Sequence, residues 1–174
     1  ERVYVEAPIY EDFITRLKTF AAKLHVGPGA GFDVHAGSMA QESELTRVEA
    51  HVKDAIDKGA ELIYGGKRRP DLGPLFYEPA ILINCDHSMD VMQEETFGPV
   101  IPIMSVRDVE EAIRLANDSR FGLSGTIFTQ DLAKGEHLAL HIDTGDVCIN
   151  RQGVTTITPA LPWGGEKASG MGRR

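Results

Sequence analysis

The chain has 174 residues, 42% of them hydrophobic and 25% charged, which is typical of a globular protein with a real hydrophobic core. The net charge of −8 disfavours a nucleic-acid partner. No apolar run approaches the roughly 20 residues that span a bilayer, and the first ten residues lack a signal-peptide pattern. We therefore expect no membrane contact and a cytoplasmic location, which two cysteines inside apolar runs also favour.

The first half of the chain alternates strand and helix patterns. "RVYVE" alternates as a strand does, and apolar residues at helical spacing follow it from residue 9 to 24. A second amphipathic helix places Leu45, Val48, Val52 and Ile56 on one face and stops at Gly59. The segments "ELIYGG" and "PAILINC" then predict two further strands.

Residues 100–150 carry the clearest pattern, strand, helix, strand, helix, strand. Such alternation implies crossover units. We therefore predict an α/β fold, a three-layer open mostly parallel sheet with helices on both faces.

The pattern dissolves after residue 150 into glycine, proline and small polar residues. Loops that leave the carboxyl ends of parallel strands commonly bind ligands, so this segment is a candidate site. A flexible terminal tail is the alternative, and the two are about equally supported by the residues alone.

Common site motifs do not account for any chemistry here. "GGK" at residues 65–67 lacks the spacing of a phosphate-binding loop. His137 and His141 stand four apart on a predicted helix, but no acid follows the first histidine as in metalloproteases. We predict no metal site.

The stretch "MQEETFGPV" sets Glu94 and Glu95 directly before an aromatic residue and a Gly-Pro turn. Local chemistry alone favours a solvated helix end. A function for the paired acids needs support from the rest of the chain.

Four motifs supply that support, because they occur in order and at the spacing of one family. They are "MQEETFGPV", "EEAIRLANDSRFGLSGTIFTQD", "GDVCIN" and "LPWGGEKASGMGR". Together they resemble the C-terminal, catalytic-domain portion of the NAD(P)-dependent aldehyde dehydrogenase superfamily. The resemblance covers essentially the whole chain.

The resemblance implies roles for two residues of the first motif. Glu95 would accept hydrogen bonds from the nicotinamide ribose hydroxyls of NAD or NADP, and Phe97 would pack near the ring. Glu94 keeps the interpretation of a surface acid.

The resemblance also implies an aldehyde pocket formed by residues 151–163. Ile157 and Trp163 are its wall candidates, and Asn150 is expected to hold backbone rather than touch substrate. The whole enzyme would oxidise an aldehyde to a carboxylic acid and assemble as a homodimer or homotetramer.

The catalytic residues are not expected within this chain. Family catalysis uses a cysteine that forms a thiohemiacetal and then a thioester, with a general-base glutamate. Neither Cys85 nor Cys148 occupies the nucleophile's motif position. We expect residues 1–174 to be a partial catalytic domain, without the cofactor-binding domain and oligomerisation strand, and inactive alone.

Two other functions remain open from the sequence. An acyl-phosphate or acyl-thioester reductase could use the same scaffold, and a naturally short chain could be a non-catalytic interaction module. The sequence does not determine which aldehyde reacts, whether NAD or NADP is used, how the fragment assembles, or whether the short chain is a native product.

Overall fold

A computed structural model of the chain describes residues 1–29, 31–153, 155 and 157–170. The last four residues of the "LPWGGEKASGMGRR" segment therefore lie outside the described part. The chain divides into two compact units, Glu1–Asp108 and Val109–Arg174. None of the helices in the described ranges combines the length and apolar character that a bilayer crossing requires.

In the described residues of the first unit there are four strands and three α-helices, with a short 3-10 turn at Ala7–Ile9 before the first helix. In chain order the elements are β1 (Val3–Glu6), α1 (Tyr10–Ala21), α2 (Glu42–Asp57), β2 (Glu61–Tyr64), β3 (Ala80–Ile83), α3 (Asp90–Gln93) and β4 (Val100–Val106).

These four strands form one sheet in the order β1-β4-β3-β2. β1, β4 and β3 run parallel, with Val3 opposite Ile103 and Ala80 opposite Val100. β2 is an antiparallel edge strand, with Glu61 opposite Ile83. The chain returns from the end of β3 to the start of β4 through α3, a crossover that parallel neighbours require.

Both faces of this sheet are covered by helices. Ile81 and Ile103 pack with Ile14 of α1, whereas Ala80 and Leu82 pack with Leu45 of α2. Successive strand residues point to opposite faces, so one short apolar strand contributes to two cores.

α2 ends where its sequence predicts. Lys58 caps the helix, and Gly59 follows it with φ +106°, a left-handed conformation that glycine adopts without steric cost. The predicted apolar face needs one correction, because Ile56 is exposed and His51 and Ala55 are buried instead. The buried residues Leu45, Val48, Val52 and Ala55 follow a three-four spacing, which keeps them on one side of the helix.

The second unit has shorter and less deeply buried elements. They are α4 (Val109–Asn117), β5 (Phe121–Gly122), β6 (Ser124–Ile127), α5 (Leu132–Ala139), β7 (Asp146–Ile149) and β8 (Glu166–Lys167). β6 and β7 pair in parallel across α5, and β5 pairs with β8 in antiparallel.

The predicted α/β class with a parallel sheet and helices is confirmed. Its sheet is divided, however, because the described strands form one four-stranded sheet and two two-stranded sheets. Strand pairing depends on contacts between distant residues, which the local strand pattern does not contain.

Candidate functional site: the acidic loop before β4

The acidic loop, residues 94–99, connects α3 to the amino end of β4. Because Ala80 lies opposite Val100 at the start of two parallel strands, this loop lies at the amino edge of the four-stranded sheet. Ligand loops of open parallel sheets usually leave the carboxyl edge. The acidic loop is therefore placed by a short crossover rather than by the end of a strand.

At residues 95–97 the side chains alternate between solvent and the protein interior. Thr96 is 5% exposed, whereas Phe97 is 68% exposed and Glu95 is also exposed. The two residues predicted to contact a cofactor therefore lie together on the surface. Between them, Thr96 anchors the loop.

The anchored side of the loop packs on α2. The hydroxyl of Thr96 and Nδ1 of His51 lie 3.0 Å apart in a buried hydrogen bond. A methyl group added at Gly98 would overlap Cγ2 of Val48, so only glycine allows this approach. The N–H of Ala80 donates to the carbonyl oxygen of Pro99 at 2.8 Å, which joins the loop to β3.

Phe97 has an unusual backbone conformation, with φ +52°. The left-handed region costs a non-glycine residue of the order of 1 kcal/mol or more, and it persists where neighbouring contacts fix the chain. The fixed neighbours here are Thr96 and Gly98. The strained turn leaves an aromatic ring exposed beside Glu95.

α3, which leads into the loop, is also tied to α2. The N–H of Asp90 donates to the Asp54 carboxylate at 2.8 Å, and Lys58 forms an ion pair with Asp54. Burial acts to raise the pKa of the Asp54 carboxyl, but the hydrogen bonds from Lys58 and the Asp90 N–H outweigh it and leave that pKa lowered. The carboxylate therefore stays ionised at the start of α3.

The predicted pocket residues lie in the second unit. Ile157 is 80% exposed, and Trp163 is half-buried. Their segment follows the carboxyl end of β7, as the strand pattern predicts. Glu95 and Phe97 belong to the first unit, so the four predicted site residues are divided between the two units.

Asn150 holds backbone, as predicted. Its side-chain oxygen accepts from the N–H of Thr129, and its side-chain NH₂ donates to the carbonyl oxygen of Thr129, both at 2.8 Å. This pair of bonds fixes the chain where it leaves β7.

Part of the segment after Asn150 is ordered by β8. The N–H of Ala168 donates to Arg120 O at 2.9 Å, and the N–H of Gly122 donates to the hydroxyl of Ser169 at 3.0 Å. These bonds favour the ordered-loop interpretation over a flexible tail for residues 163–169.

Neither cysteine has the environment of an activated nucleophile. Cys85 is 4% exposed, and burial raises the pKa of its thiol to about 11. Cys148 is half-buried, with Sγ 4.0 Å from a carboxylate oxygen of Asp146. A thiolate nucleophile needs nearby positive charge or a helix N-terminus, and neither of these contacts supplies one.

A shallow groove lies on the first unit, but it does not coincide with the acidic loop. Its lining includes Val52, Ile56, Leu62 and Tyr77. Neither Glu95 nor Phe97 lines it.

Comparison with known proteins decides the family. The model of the Aldehyde dehydrogenase family matches residues 1–174. The chain belongs to the aldehyde dehydrogenase family. The match extends over the whole length of the chain.

Individual proteins that resemble the chain are aldehyde dehydrogenases by name. A provisionally named NADP(+)-type succinate-semialdehyde dehydrogenase of Mycobacterium ulcerans is 41% identical over 100% of this chain and 34% of its own length. The crystal structure of a succinate-semialdehyde dehydrogenase from Burkholderia pseudomallei superposes with a TM-score of 0.92, at 38% identity, over 99% of this chain and 35% of that chain.

A Staphylococcus aureus betaine aldehyde dehydrogenase in complex with NAD+ superposes with a TM-score of 0.93, at 37% identity, over 99% of this chain and 34% of that chain. The chain thus spans about a third of the length of the relatives it matches.

Sequence reasoning missed His51 and Thr96. His51 lies between Val48 and Val52 on the apolar side of α2, and a histidine there indicates a buried polar contact. Its partner could not be found by spacing, since the two residues are 45 positions apart.

Proposed function

We propose that this chain supplies the nicotinamide-ribose contact of an enzyme that oxidises an aldehyde to a carboxylic acid with NAD or NADP. The observation that carries the proposal is the exposed pair Glu95 and Phe97 on a loop whose residues Thr96 and Gly98 pack against α2. In the aldehyde dehydrogenase family this motif lies over the nicotinamide half of the cofactor. We assign the chain on the same motifs to the C-terminal portion of the catalytic domain.

The carboxylate of Glu95 suits a ribose diol. Its two oxygens are acceptors only, so together they can take both hydroxyl protons. Each hydrogen bond to a charged group contributes about 1.5–3 kcal/mol. Phe97 offers an exposed ring at the next position but one, where it can pack near the nicotinamide.

When bound, the nicotinamide supplies the hydride acceptor of the reaction. The chain's own residues bind and orient it: Glu95 fixes the ribose, and Phe97 limits the movement of the ring. Ile157 and Trp163 remain proposed walls of the aldehyde pocket. An exposed Ile157 is available for such a contact.

The nucleophile comes from outside these 174 residues in this proposal. Support comes from the buried Cys85, whose thiol pKa of about 11 opposes thiolate formation, and from the acidic neighbour of Cys148. We therefore expect the isolated 174-residue polypeptide to be inactive. In this proposal it is a partial catalytic domain without the cofactor-binding domain.

The names of the relatives support one class of substrate. The Mycobacterium ulcerans relative at 41% identity and the superposed Burkholderia pseudomallei structure are both named succinate-semialdehyde dehydrogenases. Their names favour an aldehyde that carries a carboxylate at its other end. The alternative is a cationic aldehyde, since another similar structure is named a betaine aldehyde dehydrogenase. Homodimer or homotetramer assembly stays a prediction of the family resemblance, and a cytoplasmic location stays a prediction of the sequence composition.

The test is an assay of the full-length enzyme that contains this chain. Purified enzyme is mixed with NAD+ or NADP+ and with succinate semialdehyde, glutarate semialdehyde, betaine aldehyde or butanal, and cofactor reduction is followed by absorbance. We expect the highest kcat/KM with a carboxylated semialdehyde, and no turnover by the isolated 174-residue polypeptide. Preference for betaine aldehyde would contradict the substrate class, and lack of activity with every aldehyde would contradict the function.

A further inference from the structure

Three contacts join one side of α2 to the segment that carries the acidic loop. Val48 contacts Gly98, and His51 forms a hydrogen bond with Thr96. The Asp54 carboxylate accepts a hydrogen bond from the N–H of Asp90. The three α2 positions are three residues apart and so lie along one side of the helix. Their partners occur in the reverse order, which means that residues 90–98 run antiparallel to α2.

His51 provides the polar contact at the middle of this arrangement. His51 is 9% exposed, and Thr96 is 5% exposed. The Thr96 hydroxyl donates when Nδ1 is unprotonated and accepts when Nδ1 carries the proton, so either tautomer keeps the bond. A buried polar pair is destabilised when only one partner is removed, and this makes the bond a strong constraint on the loop.

The constraint acts on the residue next to Glu95. Glu95 is exposed and Thr96 is buried, so the backbone at Thr96 determines where the carboxylate projects. Phe97 follows in the left-handed region, with φ +52°. A loop with one strained residue needs fixed neighbours on both sides, and Thr96 and Gly98 provide them.

We propose that His51 is a positioning residue for the cofactor, acting through Thr96 on the Glu95 carboxylate and the Phe97 ring. The inference rests on the proposed function, since it assumes that Glu95 binds the nicotinamide ribose. His51 itself touches neither substrate nor cofactor in this arrangement. It holds the loop in the geometry in which the exposed acid and ring face the same ligand.

The test uses substitutions at Thr96 in the full-length enzyme. Thr96→Val removes the hydroxyl and keeps the shape, Thr96→Ser keeps the hydroxyl, and Thr46→Val makes the same change at an exposed position of α2. We expect Thr96→Val to raise the Kd of NAD(P)+ roughly three- to tenfold, with the KM of the aldehyde unchanged. Thr96→Ser should restore most of the affinity, and Thr46→Val should leave it unchanged.

Substitutions at His51 give an independent arm. Asparagine can place a polar atom near the position of Nδ1, whereas alanine cannot, so His51→Asn should bind NAD(P)+ more tightly than His51→Ala. The double variant His51→Ala with Thr96→Val should bind no more weakly than the weaker single variant, because both remove one bond. This arm also covers the case in which Thr96→Val fails to fold.

Glu95→Gln separates failure of the inference from failure of the proposed function. If the inference holds, Thr96→Val adds little to the loss of cofactor affinity in a Glu95→Gln background. If Glu95→Gln weakens NAD(P)+ binding while the Thr96 and His51 variants change only the thermal midpoint, the positioning role is wrong and the ribose contact stands. If Glu95→Gln itself has no effect, the proposed function of the loop is wrong.

Discussion

The two units of the chain differ in how far they bury their own apolar residues. In the first unit, β3 is flanked by α1 and α2 and its residues Ala80, Ile81 and Leu82 are at most 1% exposed. In the second unit, all four residues of β7 are half-buried. β3 thus lies in a closed core in the first unit, whereas β7 is only partly buried in the second.

This difference is relevant to the candidate site, because the acidic loop lies in the first, more deeply buried unit. The acidic loop is fixed by buried contacts from α2, and an exposed carboxylate is held in a defined place by them. The predicted pocket residues belong to the less buried unit, where Ile157 is largely exposed. We therefore expect the cofactor contact to be better preorganised than the aldehyde pocket.

The largest effect expected from this contrast is on stability. Leu45 of α2 is fully buried, whereas Leu140, just after α5, is 84% exposed. Leu45→Ala should lower the free energy of unfolding by about 2–5 kcal/mol, since it leaves a cavity between helix and sheet. The same change at Leu140 should stay within about 0.5 kcal/mol. Urea unfolding followed by circular dichroism measures the free energy of unfolding of each variant. Equal decreases for the two variants would contradict the difference in burial between the units.

A smaller effect is expected on thiol reactivity. Burial raises the pKa of the Cys85 thiol to about 11, so its thiolate is rare at pH 8, and the side chain is also shielded from reagents. Cys148 is half-buried.

Alkylation of the native chain at pH 8, located by mass spectrometry, should therefore label Cys85 at least about tenfold more slowly than Cys148. Addition of urea should equalise the two rates. Faster labelling of Cys85 in the native chain would show that the core between α2 and the sheet opens readily.

The smallest effect concerns an ion pair on the rim of α2. Arg68 donates two hydrogen bonds of 2.7 Å to Glu49, and these hydrogen bonds lower the pKa of the Glu49 carboxyl. A carboxyl whose pKa is lower in the folded state stabilises the fold above its unfolded pKa, and that stability is lost as the pH falls through the folded pKa.

Glu49→Gln should therefore reduce stability at pH 7 by less than about 1 kcal/mol, because the pair is partly solvent-exposed. The difference from the unsubstituted chain should shrink below about pH 5. Glu6→Gln, at an exposed position, is the control. A difference that grows on acidification would contradict the sign.

Sequence patterns predicted the regular elements better than their pairing. The apolar spacing of α2 and its stop at Gly59 were recoverable because both signals are local. α3 has four residues, too few for a helical period, so the sequence indicated only that a helix ends before the turn at Gly98. β5 and β8 have two residues each, and their paired residues are 44 and 46 positions apart, which no local pattern contains.

The candidate site shows the same division. Glu95 and Phe97 were identified through a family motif, since an acid pair before a turn is ordinary surface chemistry by itself. Their support, His51 and Gly98 against α2, became evident only in three dimensions. His51 on the apolar side of α2 was a signal of a buried polar contact that the sequence analysis did not use, and its partner depended on the fold.

The central claim is that the Glu95 carboxylate holds the nicotinamide ribose, and single-turnover kinetics of Glu95→Gln in the full-length enzyme test it most directly. Glutamine keeps the size of the side chain but loses the charge and one acceptor oxygen. We expect this substitution to slow hydride transfer by about tenfold to a hundredfold, with an unchanged thermal midpoint. A hydride-transfer rate equal to that of the unsubstituted enzyme at saturating NAD(P)+ would contradict it.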